Sequence, residues 1–419
     1  MNKNDSDKEL NFLPRWLASQ FGRAVAEHPV VVLTGARQVG KSTLLRHEEP
    51  TKRWKYVTLD NLDALRQGER DPAGLWAGAD HMILDEVQRL PGILSAVKQA
   101  VDEHPRKMHF VLSGSANLLL MRHVSESLAG RAVYLTLLPM TAGEIQRKDS
   151  PAVIEAILEG KLPHDQTLAA HAQNPISAIA RGFMPGLLSL PTAESRTRWW
   201  EGYTATYLER DLRQLSQVES LSDFRTVMEV SALRCGQVLN QTNVARDSHV
   251  SQATAHRYLN LLETTCLIDR LPAFARNRTT RLIKAPKLHW IDPALAAYLG
   301  GLHDEASIKA SREAGALFEN LIFHHLKALA GTFTPKLRLY YWRTMKGAEV
   351  DLVLEWGRKV VAVEVKLTES PSYSDCEGLE AFLEDHPEAS AGILVHAGRK
   401  VTRMGTKIIA LPWTMLAGL

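Results

Sequence analysis

The chain has 419 residues, 45% of them hydrophobic and 23% charged, a composition that supports more than one buried core and excludes a disordered or low-complexity protein. Lys and Arg number 50 against 47 Asp and Glu, so the formal charge of +3 says nothing about nucleic acid, and any such signal must be local. Three scattered cysteines, a polar start (MNKNDSDKEL) and no run of ~18–20 apolar residues predict a cytoplasmic chain with neither a disulfide framework nor a membrane span.

An amphipathic helix is expected over residues 12–27. From 29 to 137, short apolar runs at VVVLTG (30–35), KYVTLD (55–60), HMILDE (81–86), MHFVLSG (108–114) and AVYLTL (132–137) alternate with helical stretches. That alternation predicts an α/β fold, a parallel sheet covered on both faces. Residues 141–225 read as mainly helical, interrupted by the breaker-rich RGFMPG (181–186). Between 226 and 303, two short helices joined by DSHVSQ (247–252) precede a basic stretch of strand character ending at HWID (289–292). Beyond 312 come a helix (313–329), three strands (338–342, 348–356, 359–367), a helix near 374–385 and a strand at AGILVH (391–396). Three domains are expected: 1–225, 226–303 and 312–419.

Residues 35–42, GARQVGKS, match a phosphate-binding P-loop placed between a strand and a helix. Gly35 and Gly40 let the backbone take positive φ, so the N–H groups of Ala36, Arg37, Gln38 and Val39 can turn toward phosphate oxygens. The helix opening at Lys41, with Ser42 and Thr43 in its first turn, adds its positive dipole end. Lys41 is expected to reach the β- and γ-phosphates of ATP, and the Ser42 hydroxyl to hold Mg²⁺. HMIL (81–84) ends in Asp85–Glu86, where a parallel sheet presents its ligand-facing edge. Asp85 is expected to bind the Mg²⁺ through water and Glu86 to act as general base, with helix capping as the alternative for such a pair.

These residues resemble the AAA+ ATPases, and within them a prokaryotic group with an uncharacterised C-terminal domain. GARQVGKSTLL is similar to that group's GPRQVGKTTLL, with Ala36 in place of its proline. LDEVQRLP (84–91), LSGSANLLL (112–120), ESLAGRAVYLTLLPMTAGE (126–144) and YLERDL (207–212) resemble its later blocks, while RGFMPG departs from its usual glycine-glycine-aromatic-proline string. The resemblance implies a γ-phosphate sensor at Ser113 or Ser115. It also implies that Arg131 or Arg210 supplies a cation to the transition state, within the subunit or from a neighbour, which makes a homo-oligomer one expected assembly.

Region 226–303 is similar to the winged-helix domains of that group, with QATAHRYLNLLETT as the recognition helix. No acidic residue lies between Asp269 and Asp292, whereas Arg270, Arg276, Arg278, Arg281, Lys284 and Lys287 do. A wing carrying six cations suits the phosphate backbone of DNA; a solvated hairpin or a protein contact is the alternative. In the last domain, Asp351 and the Glu364-Val-Lys366 string lie on adjacent strands, with Glu364 and Lys366 on one face and Glu349 and Asp351 on one face of theirs. Asp351 and Glu364, joined by Glu319, could hold a divalent metal while Lys366 stabilises a scissile phosphate. The element order with these residues resembles the PD-(D/E)xK nucleases.

The expected protein is thus an ATP-hydrolysing AAA+ core followed by a winged helix and a nuclease-like domain, acting on DNA. The rival from another class is a nucleotide-dependent switch or scaffold whose later domains bind protein and whose Asp351, Glu364 and Lys366 are relics.

Overall fold

The computed structural model describes residues 12–114, 128–168, 173–206, 218, 220–277, 279, 281 and 284–419. The chain divides into two compact units, residues 1–140 with 264–266, and residues 141–263 with 267–419.

The first unit is built on β1 (Val30–Thr34), β2 (Lys55–Thr58), β3 (His81–Asp85), β4 (His109–Ser113) and β5 (Ala132–Thr136). All five run parallel, in the order β2-β3-β4-β1-β5. Every residue of β1, VVVLT, is buried, as a strand covered on both faces requires. Helix Ile93–Glu103 packs one stripe inward, Ile93, Leu94, Val97, Ala100 and Val101, at the spacing of an amphipathic helix. Asn61 caps helix Leu62–Arg70 by accepting from the N–H groups of Asp63 (2.9 Å) and Ala64 (3.1 Å). The helix expected from residue 12 starts at Ala18 and buries Phe21, Ala24 and Val25. Because β4 lies between β1 and β3, the C-terminal ends of these strands form one edge, where open α/β sheets place their ligands.

The second unit holds β6 (Gln166–Thr167), β7 (Ile268–Leu271), β8 (Lys287–Trp290), β9 (Arg338–Arg343), β10 (Glu349–Trp356), β11 (Lys359–Lys366), β12 (Ala391–His396), β13 (Lys400–Arg403) and β14 (Ile408–Pro412). Seven of them form one mixed sheet, β6-β13-β14-β12-β11-β10-β9, and β7 pairs with β8 as an antiparallel hairpin. Helices Leu221–Ala232, Gln241–Asp247 and Gln252–Thr264 precede that hairpin. The helical stretch after residue 141, read from sequence as part of the ATPase domain, belongs to this second unit: β6 pairs with β13, and helix Val153–Leu158 packs on β11.

RGFMPG has a structural job here. Gly182 has φ 75°, and a Cβ there would meet Leu187 Cδ1 at 2.7 Å and Ala294 Cβ at 2.8 Å. The loop is held by Asp292, wholly buried, which accepts from the N–H groups of Phe183 (2.8 Å) and Met184 (3.1 Å) while capping helix Pro293–Leu299 through Ala294 N–H (2.9 Å). Burial pushes the Asp292 carboxyl up to about 6 from 3.8, against the pull of those three donors. The folded chain therefore holds a proton that the unfolded chain has released, and this contribution to stability falls as pH rises from about 4 to about 6. Asp292→Ala should remove that slope and, by leaving three N–H groups without an acceptor, cost on the order of 3 kcal/mol. Denaturant melts across that pH range check both, and an unchanged slope contradicts the assignment.

Candidate functional site

The P-loop turns directly out of β1. Gly35 (φ 145°) and Gly40 (φ 98°) take the positive φ that its path requires, and Gln38 (φ 61°) takes it as well. A Cβ on Gly35 would fall 2.2 Å from the Leu137 carbonyl oxygen, so no side chain fits there. Arg15, 8% exposed, braces the loop from outside by donating to Val39 O at 2.9 Å and Leu138 O at 2.5 Å. No motif signals this arginine. Lys41 is 6% exposed and folds back to donate to Gly35 O (3.0 Å) and Ala36 O (2.9 Å). Burial lowers its pKa, opposed by the charges of Glu86 and Asp85.

The two sequence-distant halves of the site meet at Asp85. Ser42 Oγ donates to Asp85 Oδ2 at 2.7 Å, and the Glu86 N–H donates to Asp85 Oδ1 at 3.1 Å. Tyr56, on β2, donates its hydroxyl to the same Oδ2; burial, then this bond, pushes the phenol up to about 12. Arg46 lies over the Tyr56 ring at 4.2 Å, a cation–π contact that fixes the ring. Tyr56 is legible only once β2 is placed beside β3. Glu86 sits at φ 59°, an uncommon conformation for a side-chain-bearing residue, and accepts from the Gln88 amide. Its carboxyl is raised, first by burial and then by the Asp85 charge. A raised carboxyl beside a hydroxyl–carboxylate pair is suited to taking a proton from water.

Ser113 ends β4, between β1 and β3, fully buried and with no hydrogen-bond partner for its Oγ among the described residues. Arg131 precedes β5 at the end opposite the P-loop, since Val30 pairs with Ala132 and Thr34 with Thr136. At about 3.3 Å per residue that separation is roughly 15 Å. Its guanidinium grips Asp102 with two bonds of 2.6 and 3.0 Å. Ser115 and Arg210 lie outside the described residues.

The basic segment is in part engaged by the fold around it, with Arg276 and Lys284 exposed at the surface. Arg270 faces Glu263 (3.6 Å), and Arg276 donates to Asp385 O. Arg281 makes two 3.0 Å bonds to Glu355 and stacks on Phe274 (4.3 Å) and Tyr340 (4.8 Å). Lys284 donates to Arg343 O at 3.2 Å. The segment lies along the sheet edge, with Phe274 N–H bonded to Tyr341 O and Tyr341 N–H to Pro272 O. The sequence shows the excess of cations in this stretch but not the carboxylates and carbonyls that meet it from β9, β10 and their neighbours. Arg278 lies outside the described residues.

The C-terminal carboxylates come together, but not around an open metal position. Lys287 on β8 places its Nζ 2.8 Å from Glu319, 3.2 Å from Glu349 and 3.0 Å from Asp351. Glu364 pairs with Lys366 at 2.7 Å, and the second oxygen of Asp351 accepts from Val365 N–H at 2.9 Å. The expected metal set Glu319, Asp351 and Glu364 therefore has to be corrected. Among the described residues no group of three or more His, Cys, Asp or Glu is arranged to hold a metal ion. His324 and His325 are both buried; His325 bonds Leu321 O (2.8 Å) and Ala142 N–H (3.0 Å), and burial pushes its pKa to about 3. No helix among the described residues is long and apolar enough to cross a membrane.

Residues 27–146 match the AAA domain family. Residues 174–306 and 314–416 match two domains of unknown function, DUF8612 and DUF4143. The chain is 30% identical over 397 residues to the uncharacterized protein Rv2008c of Mycobacterium tuberculosis and to Mb2031c of Mycobacterium bovis, a span of 94% of this chain and 82% of each relative. Among solved structures it is similar to the Walker-type ATPase paby2304 of Pyrococcus abyssi, at 17% identity and a TM-score of 0.44 over 68% of this chain and 94% of that one. It is also similar to a RuvB variant of Thermotoga maritima, at 17% identity and a TM-score of 0.30 over 63% and 92%. The chain belongs to the family of these mycobacterial proteins, an AAA+ ATPase family whose AAA domain spans residues 27–146 here.

Proposed function

We propose that the chain binds ATP with Mg²⁺ at Gly35–Ser42 and hydrolyses it, and that the second unit is a binding module that responds to the nucleotide. The observation that carries the first part is the 2.7 Å bond from Ser42 to Asp85, with Glu86 next in sequence. A hydroxyl from the helix after the P-loop and a carboxylate from the end of β3 meet where P-loop enzymes hold magnesium, so the donor set fits that ion. Bound Mg²⁺ would supply positive charge at the phosphates. Lys41 would exchange its bonds to Gly35 O and Ala36 O for phosphate oxygens, Glu86 would accept the proton of the attacking water, and Ser113 would offer its hydroxyl to the γ-phosphate. Arg131 stands at the far end of the sheet, so its proposed part is toward a neighbouring subunit's nucleotide.

For the second unit, three helices and a hairpin follow the order of a winged helix, and the sheet around β10 and β11 follows that of a nuclease-like domain. Of the two readings raised by the sequence, the engaged basic segment favours the switch over a DNA-cutting enzyme. Arg276→Ala and Lys284→Ala together should leave the salt dependence of any duplex-DNA binding unchanged. Free wing cations would instead lower the slope of log K against log salt by about one for each. Fluorescence-anisotropy titrations at several salt concentrations decide, and a slope lower by about two would restore the DNA-binding wing.

A further inference from the structure

We infer that the Lys287 ammonium is the resident cation of the carboxylate centre in the C-terminal sheet, standing where a nuclease of this layout holds its divalent metal, so that the centre takes no metal in the native chain. This deepens the non-cleaving reading of the second unit and does not depend on what the nucleotide site does.

The lysine is fixed at its backbone before its side chain is considered. β8 pairs with β7, placing Lys287 opposite Leu271, and its other side forms a bridge to Val238. Leu239 N–H bonds Pro286 O at 2.8 Å, and Leu288 N–H bonds Gln237 O at 2.9 Å, so the strand is held on both sides of Lys287. From there the side chain enters the centre with 2% of its surface exposed.

The chemistry of the contact set is that of an ammonium. Three carboxylate oxygens, on Glu319, Glu349 and Asp351, lie 2.8–3.2 Å from Nζ, and an ammonium carries three N–H donors. The contact to Asp351 is a hydrogen bond and those to Glu319 and Glu349 are ion pairs at similar distances, whereas Mg²⁺ would draw the same oxygens to about 2.1 Å. Burial alone would favour the neutral amine, yet Glu319, Asp351 and Glu349 outweigh it and hold Lys287 charged, well above its ordinary value. Of the outer oxygens, one of Asp351 accepts from Val365 N–H and Glu364 Oε1 accepts from Lys366, while Glu364 Oε2 is buried with no hydrogen-bond partner among the described residues. A divalent ion entering this centre would face a buried like charge at contact distance.

The centre also acts as a tie. One ammonium joins the hairpin strand β8 to helix Ala314–Ala330 through Glu319 and to β10 through Glu349 and Asp351. The residues that make a cutting site in a nuclease of this layout here lock two segments together.

Nucleotide-free protein is titrated with Mn²⁺, the free ion being counted by electron paramagnetic resonance. Wild type, Asp351→Asn, Glu364→Gln, Lys287→Ala and the Lys287→Ala/Asp351→Asn double variant are compared, with folding checked by circular dichroism. Wild type, Asp351→Asn and Glu364→Gln should bind the same number of Mn²⁺ ions, because any ion at the P-loop is common to all. Lys287→Ala should bind one more per chain, and the double variant should lose it. A Mn²⁺ ion bound by wild type and lost in Asp351→Asn or Glu364→Gln would overturn the inference, as would a folded Lys287→Ala protein that gains none. Should Lys287→Ala fail to fold, the comparison of wild type with the two single carboxylate variants decides alone. ATP binding, measured separately, tests the nucleotide site and leaves this count unaffected.

Discussion

Lys41→Ala is expected to weaken ATP·Mg²⁺ binding by roughly 10²-fold, the scale of a lost hydrogen bond to a charged group plus the charge itself. The reason lies in where the amine is stored. It is buried and, among the described residues, bonded to two carbonyl oxygens of its own loop, Gly35 O and Ala36 O, and its pKa is already lowered by burial. A phosphate arriving at the loop meets a cation with little water to shed, which preorganises binding. Removing the amine leaves the two carbonyls facing the ligand's negative charge. Titration with a fluorescent ATP analogue, in the presence and absence of Mg²⁺, reads the effect. An unchanged Kd would remove the P-loop assignment, whatever the sequence motif says.

The largest stability effect is expected at Lys287. Lys287→Met keeps most of the buried volume but strips the counter-charge from Glu319, Glu349 and Asp351, and breaking such a buried cluster costs about 3–5 kcal/mol. Lowering the pH should recover part of that loss, because protonated carboxyls no longer repel one another. Arg276→Ala, whose side chain is 63% exposed, should cost under about 1 kcal/mol and serves as the control within the same basic segment. Urea melts of the three proteins at neutral and mildly acidic pH make the comparison. A Lys287→Met protein as stable as Arg276→Ala would show that the ammonium is not what balances the centre.

The first unit was readable from sequence because its signals are local. β1 to β5 are short apolar runs, and the P-loop and Asp85–Glu86 are contiguous strings at strand ends. What escaped there was non-local: Arg15 reaches across 24 residues to Val39 O, and Tyr56 reaches Asp85 only because β2 pairs with β3. In the second unit the helix Ala314–Ala330 and β9 to β12 follow the expected order, while β13 and β14 carry no comparable signal in the sequence. β14, IIALP, is a short apolar run whose periodicity does not separate strand from buried helix. Charge is harder to place from sequence, for a plainer reason. Arg281 and Lys287 look like surface cations until Glu355 and Glu319, far away in sequence, are folded against them. Linear charge density reports composition; only the fold says which charges reach solvent.

The claim that the chain is a working ATPase is tested most directly by steady-state phosphate release. Wild type and Glu86→Gln, purified identically, are assayed with saturating ATP and Mg²⁺ and matched for nucleotide occupancy. The account expects Glu86→Gln to bind ATP as wild type does while releasing phosphate ~10²–10⁴-fold more slowly, the usual consequence of losing a general base. Equal release by the two proteins, or none from wild type at full occupancy, would contradict it.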